Sequence, residues 1–136
     1  MQLNPYLSFN GQCEAAFKFY AECLGGKIEG MSTYARPQVK DQTRPEWHHK
    51  ILHAVLIVGD DILMGSDTPT EEYEEPKGFF VSLMIKDPAD ADRIFHGLAE
   101  NGRVEMPIQE TFWAARFGTV VDQFGIPWMI NCLKTS

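Results

Sequence analysis

The amino-acid sequence predicts an α+β fold of two βαβββ modules, and three observations point there. The halves of the 136-residue chain match at an offset of about 76, which lays Leu7 on Leu83, Phe9 on Ile85, Ala15 on Ala91, Phe19 on Phe95 and Gly26 on Gly102. Each half begins with a short apolar run, continues into a helical pattern and leaves it through glycine. Three strand-like segments follow each helix.

The first apolar run, Tyr6-Leu7-Ser8-Phe9, has strand length and strand-forming residues. Ala16, Phe17, Tyr20 and Leu24 then recur at helical spacing, and Gly25-Gly26 supplies a left-handed stop. Strands are expected over about Lys27–Tyr34, Lys50–Val58 and Ile62–Gly65. In the second half the apolar run is Phe79–Ile85. Asp87 is a natural helix N-cap, Pro88 suits the first helical position, and Ile94, Phe95 and Leu98 form the buried stripe up to Asn101-Gly102. Strands follow over about Arg103–Thr111, Ala115–Val121 and Trp128–Cys132. Module 1 therefore covers about residues 1–67 and module 2 about 78–136, with the acidic, Pro-bounded stretch 68–77 as a linker. The halves differ most in a polar insert of about 13 residues, Arg36–His49, which reads as a long surface loop of the kind that covers binding sites.

Composition narrows the function classes. With 44% hydrophobic and 23% charged residues the chain is neither disordered nor collagen-like. No apolar run approaches the roughly 20 residues of a membrane-spanning helix, so no membrane partner is expected. Its 12 Lys and Arg are scattered against 19 Asp and Glu, net charge −7, which argues against a nucleic-acid partner. Met1–Pro5 has no secretory pattern, so the cytoplasm is the expected compartment. Cys13, Cys23 and Cys132 lack CxxC spacing and read as reduced, structural thiols.

Two curled mixed sheets, each with a helix on its outer face, leave their inner faces to form a shared concave cavity. Side chains alternate along a strand, so Leu7 and Phe9 are expected under the helix while Asn4, Tyr6 and Ser8 face the cavity. In module 2 the corresponding set is Phe80, Ser82 and Met84. The repeat places His53 near Arg116. His53 suits proton transfer near neutrality or a bond to a neighbouring strand or dimer partner. Arg116, close to Trp113, suits a carboxylate or phosphonate ligand, or an ion pair with Glu110 or Asp122. Trp113 and Trp128 are of the type that lines small-molecule sites, and Trp128 equally suits a core among Ile126, Met129 and Ile130. Tyr6 supplies a hydroxyl that serves a ligand or a structural bond. Asp60 and Asp61 read as hairpin-turn residues, and His48 and His49 as a solvated loop pair. The ligand-binding candidates are thus Asn4, Tyr6, His53, Trp113, Arg116 and Trp128.

The paired βαβββ order resembles the vicinal oxygen chelate superfamily, which includes glyoxalase I, extradiol dioxygenases, and fosfomycin- and bleomycin-resistance proteins. Within it, the segments NPYLSFNGQCEAAFKFYAECLGG (Asn4–Gly26), HAVLIVGDDILMGSD (His53–Asp67) and ETFWAARFGTVVDQFGIPWMIN (Glu110–Asn131) resemble the PhnB-like family, often labelled 3-demethylubiquinone 3-methyltransferase. Enzymatic members hold a divalent ion on the first and last strands of each half. Those positions carry over to Asn4, Leu63 or Met64, Phe80, and Met129. Met and Phe do not suit a hard cation, so no metal or other required cofactor is expected, His53 being the least unsuitable ligand. The resemblance implies a homodimer. It also implies a protein that binds a small polar or acidic metabolite. The alternatives are a metal-dependent lyase, isomerase or dioxygenase, and a structural or regulatory homodimer. Methyl transfer is not expected, since no glycine-rich strand-to-helix turn is present to hold a nucleotide-type donor.

Overall fold

The computed structural model describes residues 1–135 and divides into two compact units, Met1–Glu74 and a second beginning at Glu75. The first contains β1 (Tyr6–Phe9), α1 (Cys13–Leu24), β2 (Lys27–Thr33), β3 (Ile51–Val58) and β4 (Asp61–Asp67). The second contains β5 (Val81–Met84), α2 (Pro88–Ala99), β6 (Arg103–Gln109), β7 (Ala114–Val121) and β8 (Pro127–Leu133). Each is therefore a βαβββ module, the fold that the repeat predicts.

The sheet orders are β1-β4-β3-β2 and β5-β8-β7-β6. In both, the first strand pairs in parallel with the last, and the remaining neighbours are antiparallel. Alternation then decides what faces the helix. In module 1 Leu7 and Phe9 are buried with Leu63, Ala54 and Leu56, against Ala16, Phe17 and Tyr20 of α1. In module 2 Trp128, Ile130, Cys132 and Val120 are buried together with Ala91, Phe95 and Leu98 of α2. Each helix is seated over a glycine. A Cβ on Gly65 would lie 2.9 Å from Phe17 Cε1, and one on Gly118 would lie 2.8 Å from Phe95 Cε2.

Helix ends follow the expected chemistry. The Asp87 carboxylate accepts the Ala89 N–H at 3.0 Å, with Pro88 next to it. Gly25 takes the left-handed conformation after α1, at φ 73°, and Asn101 takes it after α2, at φ 58°. Gly26 is needed for a different reason: a Cβ there would sit 2.7 Å from Val58 Cγ2.

Several expectations are corrected. The two helices begin 75 residues apart rather than 76, so the buried counterpart of Phe95 is Tyr20, and Phe19 is only half-buried. An ungapped overlay misses this because register matches Leu7 to Leu83, and Cys13 follows Leu7 by six positions whereas Pro88 follows Leu83 by five. The fifth strand is shorter than Phe79–Ile85 and excludes Phe80, while β4 extends beyond Gly65 to Asp67. Asn4 precedes β1, so it is not a strand residue.

The Arg36–His49 insert is a pinned structure with two 3-10 turns, Lys40–Gln42 and Pro45–Trp47. His48 Nε2 lies 3.0 Å and 2.9 Å from the carbonyl oxygens of Lys40 and Thr43, so that nitrogen carries its proton. At the insert's far end Lys50 Nζ donates to the Gly11 carbonyl at 2.8 Å. Asp60 lies in the two-residue β3–β4 turn with Gly59 at φ 60°, and Asp61 starts β4. No helix among the described residues is long and apolar enough to cross a membrane.

Candidate functional site

Residues on the face of each sheet away from its helix are the ones available for chemistry. In module 1, β1 contributes Tyr6 and Ser8 to that face, while Met64 and Ser66 of β4 stand beside them in parallel register. β3 adds His53 and Val55, because Ala54 and Leu56 point to the core.

Tyr6 and His53 meet on this face. Their rings stack with centroids 5.7 Å apart at 25°, and the Tyr6 hydroxyl lies 3.1 Å from His53 Nδ1. With the hydroxyl as donor, the imidazole carries its proton on Nε2, leaving a ring N–H to donate elsewhere. Tyr6 is 51% exposed, so the pair is open to a solute. The Ser8 and Thr68 hydroxyls bond each other nearby. Tyr34 donates from its hydroxyl to the Asp67 carbonyl oxygen at 2.7 Å. Burial first, and the Asp67 charge second, push the Tyr34 phenol up, so it remains a donor. Neither Tyr34 nor Thr68 is singled out by the sequence: Tyr34 closes an expected strand that ends one residue earlier, at Thr33, and Thr68 follows β4, so alternation assigns neither a face.

Asp67 ties this region together. Its buried carboxylate accepts the Cys13 N–H at the start of α1, at 2.9 Å, and the Ile51 N–H at the start of β3, at 2.8 Å. Burial, with Asp67 and Glu14 as further contributors, raises the Cys13 thiol well above its ordinary value. Cys13 is an inert core group.

Module 2 presents a different face. Ser82 and Met84 of β5, Met129 and Asn131 of β8, and Phe117 and Thr119 of β7 share it in register. Trp113 is 44% exposed and packs edge-on against Phe117, centroids 5.3 Å apart, and against Phe112 at 4.8 Å. Asn131 Oδ1 is buried without a hydrogen-bond partner.

Arg116 is elsewhere. It shares strand parity with Gly118, which lies under Phe95, so it points to the helix side of the sheet. There its Nε donates to Asp92 Oδ1 of α2 at 3.0 Å and its Nη1 to the Ala115 carbonyl at 2.7 Å. The partner is therefore neither Glu110, which pairs with Lys134, nor Asp122. The β-strand register explains the error. Leu7 pairs with Gly65 and through it with Ala54, whereas Leu83 pairs with Ile130 and through it with Gly118. His53 thus corresponds to Phe117, one residue beyond Arg116, and a one-residue slip reverses the face.

Trp128 is a core residue of module 2, 1% exposed, with its indole N–H donating to Asp122 Oδ2 at 2.8 Å. The same carboxylate accepts the N–H groups of Phe124 and Ile126 and shapes the β7–β8 turn. Asn4 donates from its side-chain amide to Gln2 Oε1 at 3.2 Å. Of the six candidates from the sequence, Tyr6 and His53 come together on one face; Trp113 keeps an exposed aromatic surface in module 2, while Arg116 and Trp128 are committed internally.

The metal-ligand positions implied by resemblance carry an amide, two thioethers and a phenyl ring, at Asn4, Met64, Met129 and Phe80, while Leu63 faces the core. This donor set does not fit a hard divalent ion. Among the described residues, no three His, Cys, Asp or Glu side chains are grouped so as to hold a metal.

Comparison with known proteins gives a consistent picture. The model of the Glyoxalase/Bleomycin resistance protein/Dioxygenase superfamily matches residues 2–130. Protein YjdN of Escherichia coli (strain K12) is 38% identical over 143 residues, covering 98% of this chain and 97% of that protein. Among solved structures, protein PA1353 from Pseudomonas aeruginosa superposes with a TM-score of 0.89 at 43% identity, covering 99% of each chain. A PhnB protein from Bacillus cereus, labelled a candidate 3-demethylubiquinone-9 3-methyltransferase, shares the fold with a TM-score of 0.82 at 22% identity, covering 97% of this chain and 99% of its own.

Proposed function

The chain belongs to the glyoxalase/bleomycin resistance protein/dioxygenase superfamily, and on that premise we propose that it binds a small polar or acidic metabolite without the superfamily's usual metal centre. The observation that carries this reading is the Tyr6–His53 pair on the helix-distal face of module 1. An imidazole held at Nδ1 by a phenol offers Nε2–H to a carboxylate or phosphonate oxygen. On protonation the imidazole also gains a charge, and the Tyr6 hydroxyl reverses to accept. Arg116, the other cation considered, is committed to Asp92 on the helix side, so His53 is the anion-binding group of this reading.

Methyl transfer has no support in the chain's own residues. The strand-to-helix turns Asn10-Gly11-Gln12 and Ile85-Lys86-Asp87 contain no glycine-rich phosphate loop. The cysteines form no disulfide, which suits the reducing cytoplasm as compartment. We include self-association in the proposal: Phe79, Phe80, Met84 and Leu133 are large apolar side chains left exposed in module 2. Sedimentation at micromolar concentration is expected to give a dimer, and a lone species of about 15 kDa contradicts that part.

The main test titrates acetate and methylphosphonate into the protein while following the His53 and Tyr6 resonances. Both probes are expected to perturb these residues, His53→Phe to remove the response, and Arg116→Ala to retain it. A response that follows Arg116 instead overturns the assignment. Metal analysis of protein prepared without added metal or affinity tag is expected to show clearly substoichiometric divalent ion. One tightly held ion per chain would restore the metal-dependent lyase, isomerase or dioxygenase reading.

A further inference from the structure

We infer that the helix-distal face of module 2 is a second recognition surface, for a flat, uncharged aromatic group bearing one hydrogen-bond donor, with Asn131 as the acceptor. The starting observation is the buried Asn131 Oδ1 with no partner. Native proteins keep few such atoms, because an unsatisfied buried acceptor costs folding free energy that an apolar residue of similar size would not. Asn131 lies in β8 between Met84 of β5 and Phe117 of β7, and its oxygen is buried, whereas Gln109, the other amide that register puts on this face, is exposed on β6.

Those neighbours set the ligand class. Phe117 and Trp113 form an edge-on aromatic pair whose rings offer a stacking surface. Met84, 61% exposed and paired in register with Asn131, adds an unbranched, polarisable thioether beside the amide. The strand cations of this module are paired: Arg116 with Asp92 on the helix side, and Arg103, which register puts on this face opposite Val121, with Glu105; Lys134, just after β8, pairs with Glu110. An acidic ligand therefore gains nothing here, whereas a ring N–H or O–H directed at Asn131 Oδ1 supplies the bond that the folded chain lacks. The inference is independent of the Tyr6–His53 reading, since it uses residues of the other module.

The test compares indole with indene, which has nearly the same shape but a CH2 in place of the N–H. Each is titrated into the intact protein while the Trp113 indole proton and the Phe117 amide are followed by NMR. Wild type is expected to bind indole about tenfold more tightly than indene, the effect of about 1.4 kcal/mol. Asn131→Leu is expected to abolish that preference while raising the melting temperature, because it removes the orphan acceptor. His53→Ala is expected to leave the preference intact, which separates this surface from the anion site. Equal affinity of wild type for the two probes overturns the proposal, as does perturbation that bypasses Trp113 and Phe117, or a preference that survives in Asn131→Leu. If Asn131→Leu does not fold, the wild-type comparison alone decides.

Discussion

The two modules share their backbone plan and differ in the side chains on their helix-distal faces. Register places His53 opposite Phe117 in the repeat, Ser8 opposite Met84, and Ser66 opposite Asn131. Module 1 thus carries an imidazole and hydroxyls where module 2 carries a phenyl ring and a thioether. On the helix side each seats an aromatic ring over a glycine, but on different strands, Gly65 of β4 and Gly118 of β7. They diverge again in their pins. Module 1 ties the start of α1 to its sheet through the Asp67 carboxylate, whereas the corresponding β8 position is Cys132, whose thiol donates to the Lys86 carbonyl at 3.4 Å. Packing fixes the fold in both copies, and the opposite face is left to carry distinct chemistry.

The sharpest way to break the comparison is at the buried carboxylates. Asp122→Ala strands three donors in module 2, the N–H groups of Phe124, Ile126 and Trp128, and is expected to cost about 3 kcal/mol in a denaturant titration. Asp67→Ala strands two in module 1 and is expected to cost about 2 kcal/mol. The reverse order would mean that the helix tie outweighs the turn. Gly118→Ala and Gly65→Ala should cost about 1 to 3 kcal/mol each by overpacking, and a clear inequality would show which helix has room to shift.

Weaker effects sharpen the picture. Asp92→Asn removes the partner of a half-exposed Arg116 and is expected to change stability by about 0.5 kcal/mol, without affecting acetate binding. The smallest effect concerns the insert of module 1, which module 2 lacks. Glu71 is held below its ordinary value of 4.5, first by its own backbone N–H and then by Arg44 of the insert. A carboxylate lowered in the folded state contributes stability that is present above the ordinary value and lost as pH falls through the lowered one. Protection factors across 36–49, corrected for the pH dependence of intrinsic amide exchange, are therefore expected to fall slightly on acidification below about pH 4.5, with no matching change in module 2.

The repeat made both modules legible, because strand alternation and glycine stops are local signals. It failed where single residues were inserted. One more residue between Leu7 and α1 than between Leu83 and α2 shifted Phe19 against Phe95, and the sheet register matches His53 to Phe117 rather than to Arg116. Of the site, Tyr6 was legible from alternation along β1. The stacking of Tyr6 on His53 was not, since the residues lie 47 positions apart and meet through the β1–β4–β3 order. Asp92 as the partner of Arg116 was equally hidden, because it depends on which helix face covers β7.

The parallel pairing of β1 with β4 has a consequence for synthesis on the ribosome. Tyr6–Phe9 emerges first, but its seat in the sheet exists only once Met64–Asp67 has been made. Until then Leu7 and Phe9, destined for the core, have no strand beside them. The first strand of the module is thus the last to be housed. The same delay recurs when β5 waits for Trp128–Asn131, so a nascent chain passes twice through a state in which an apolar strand has been made before the strand that pairs with it.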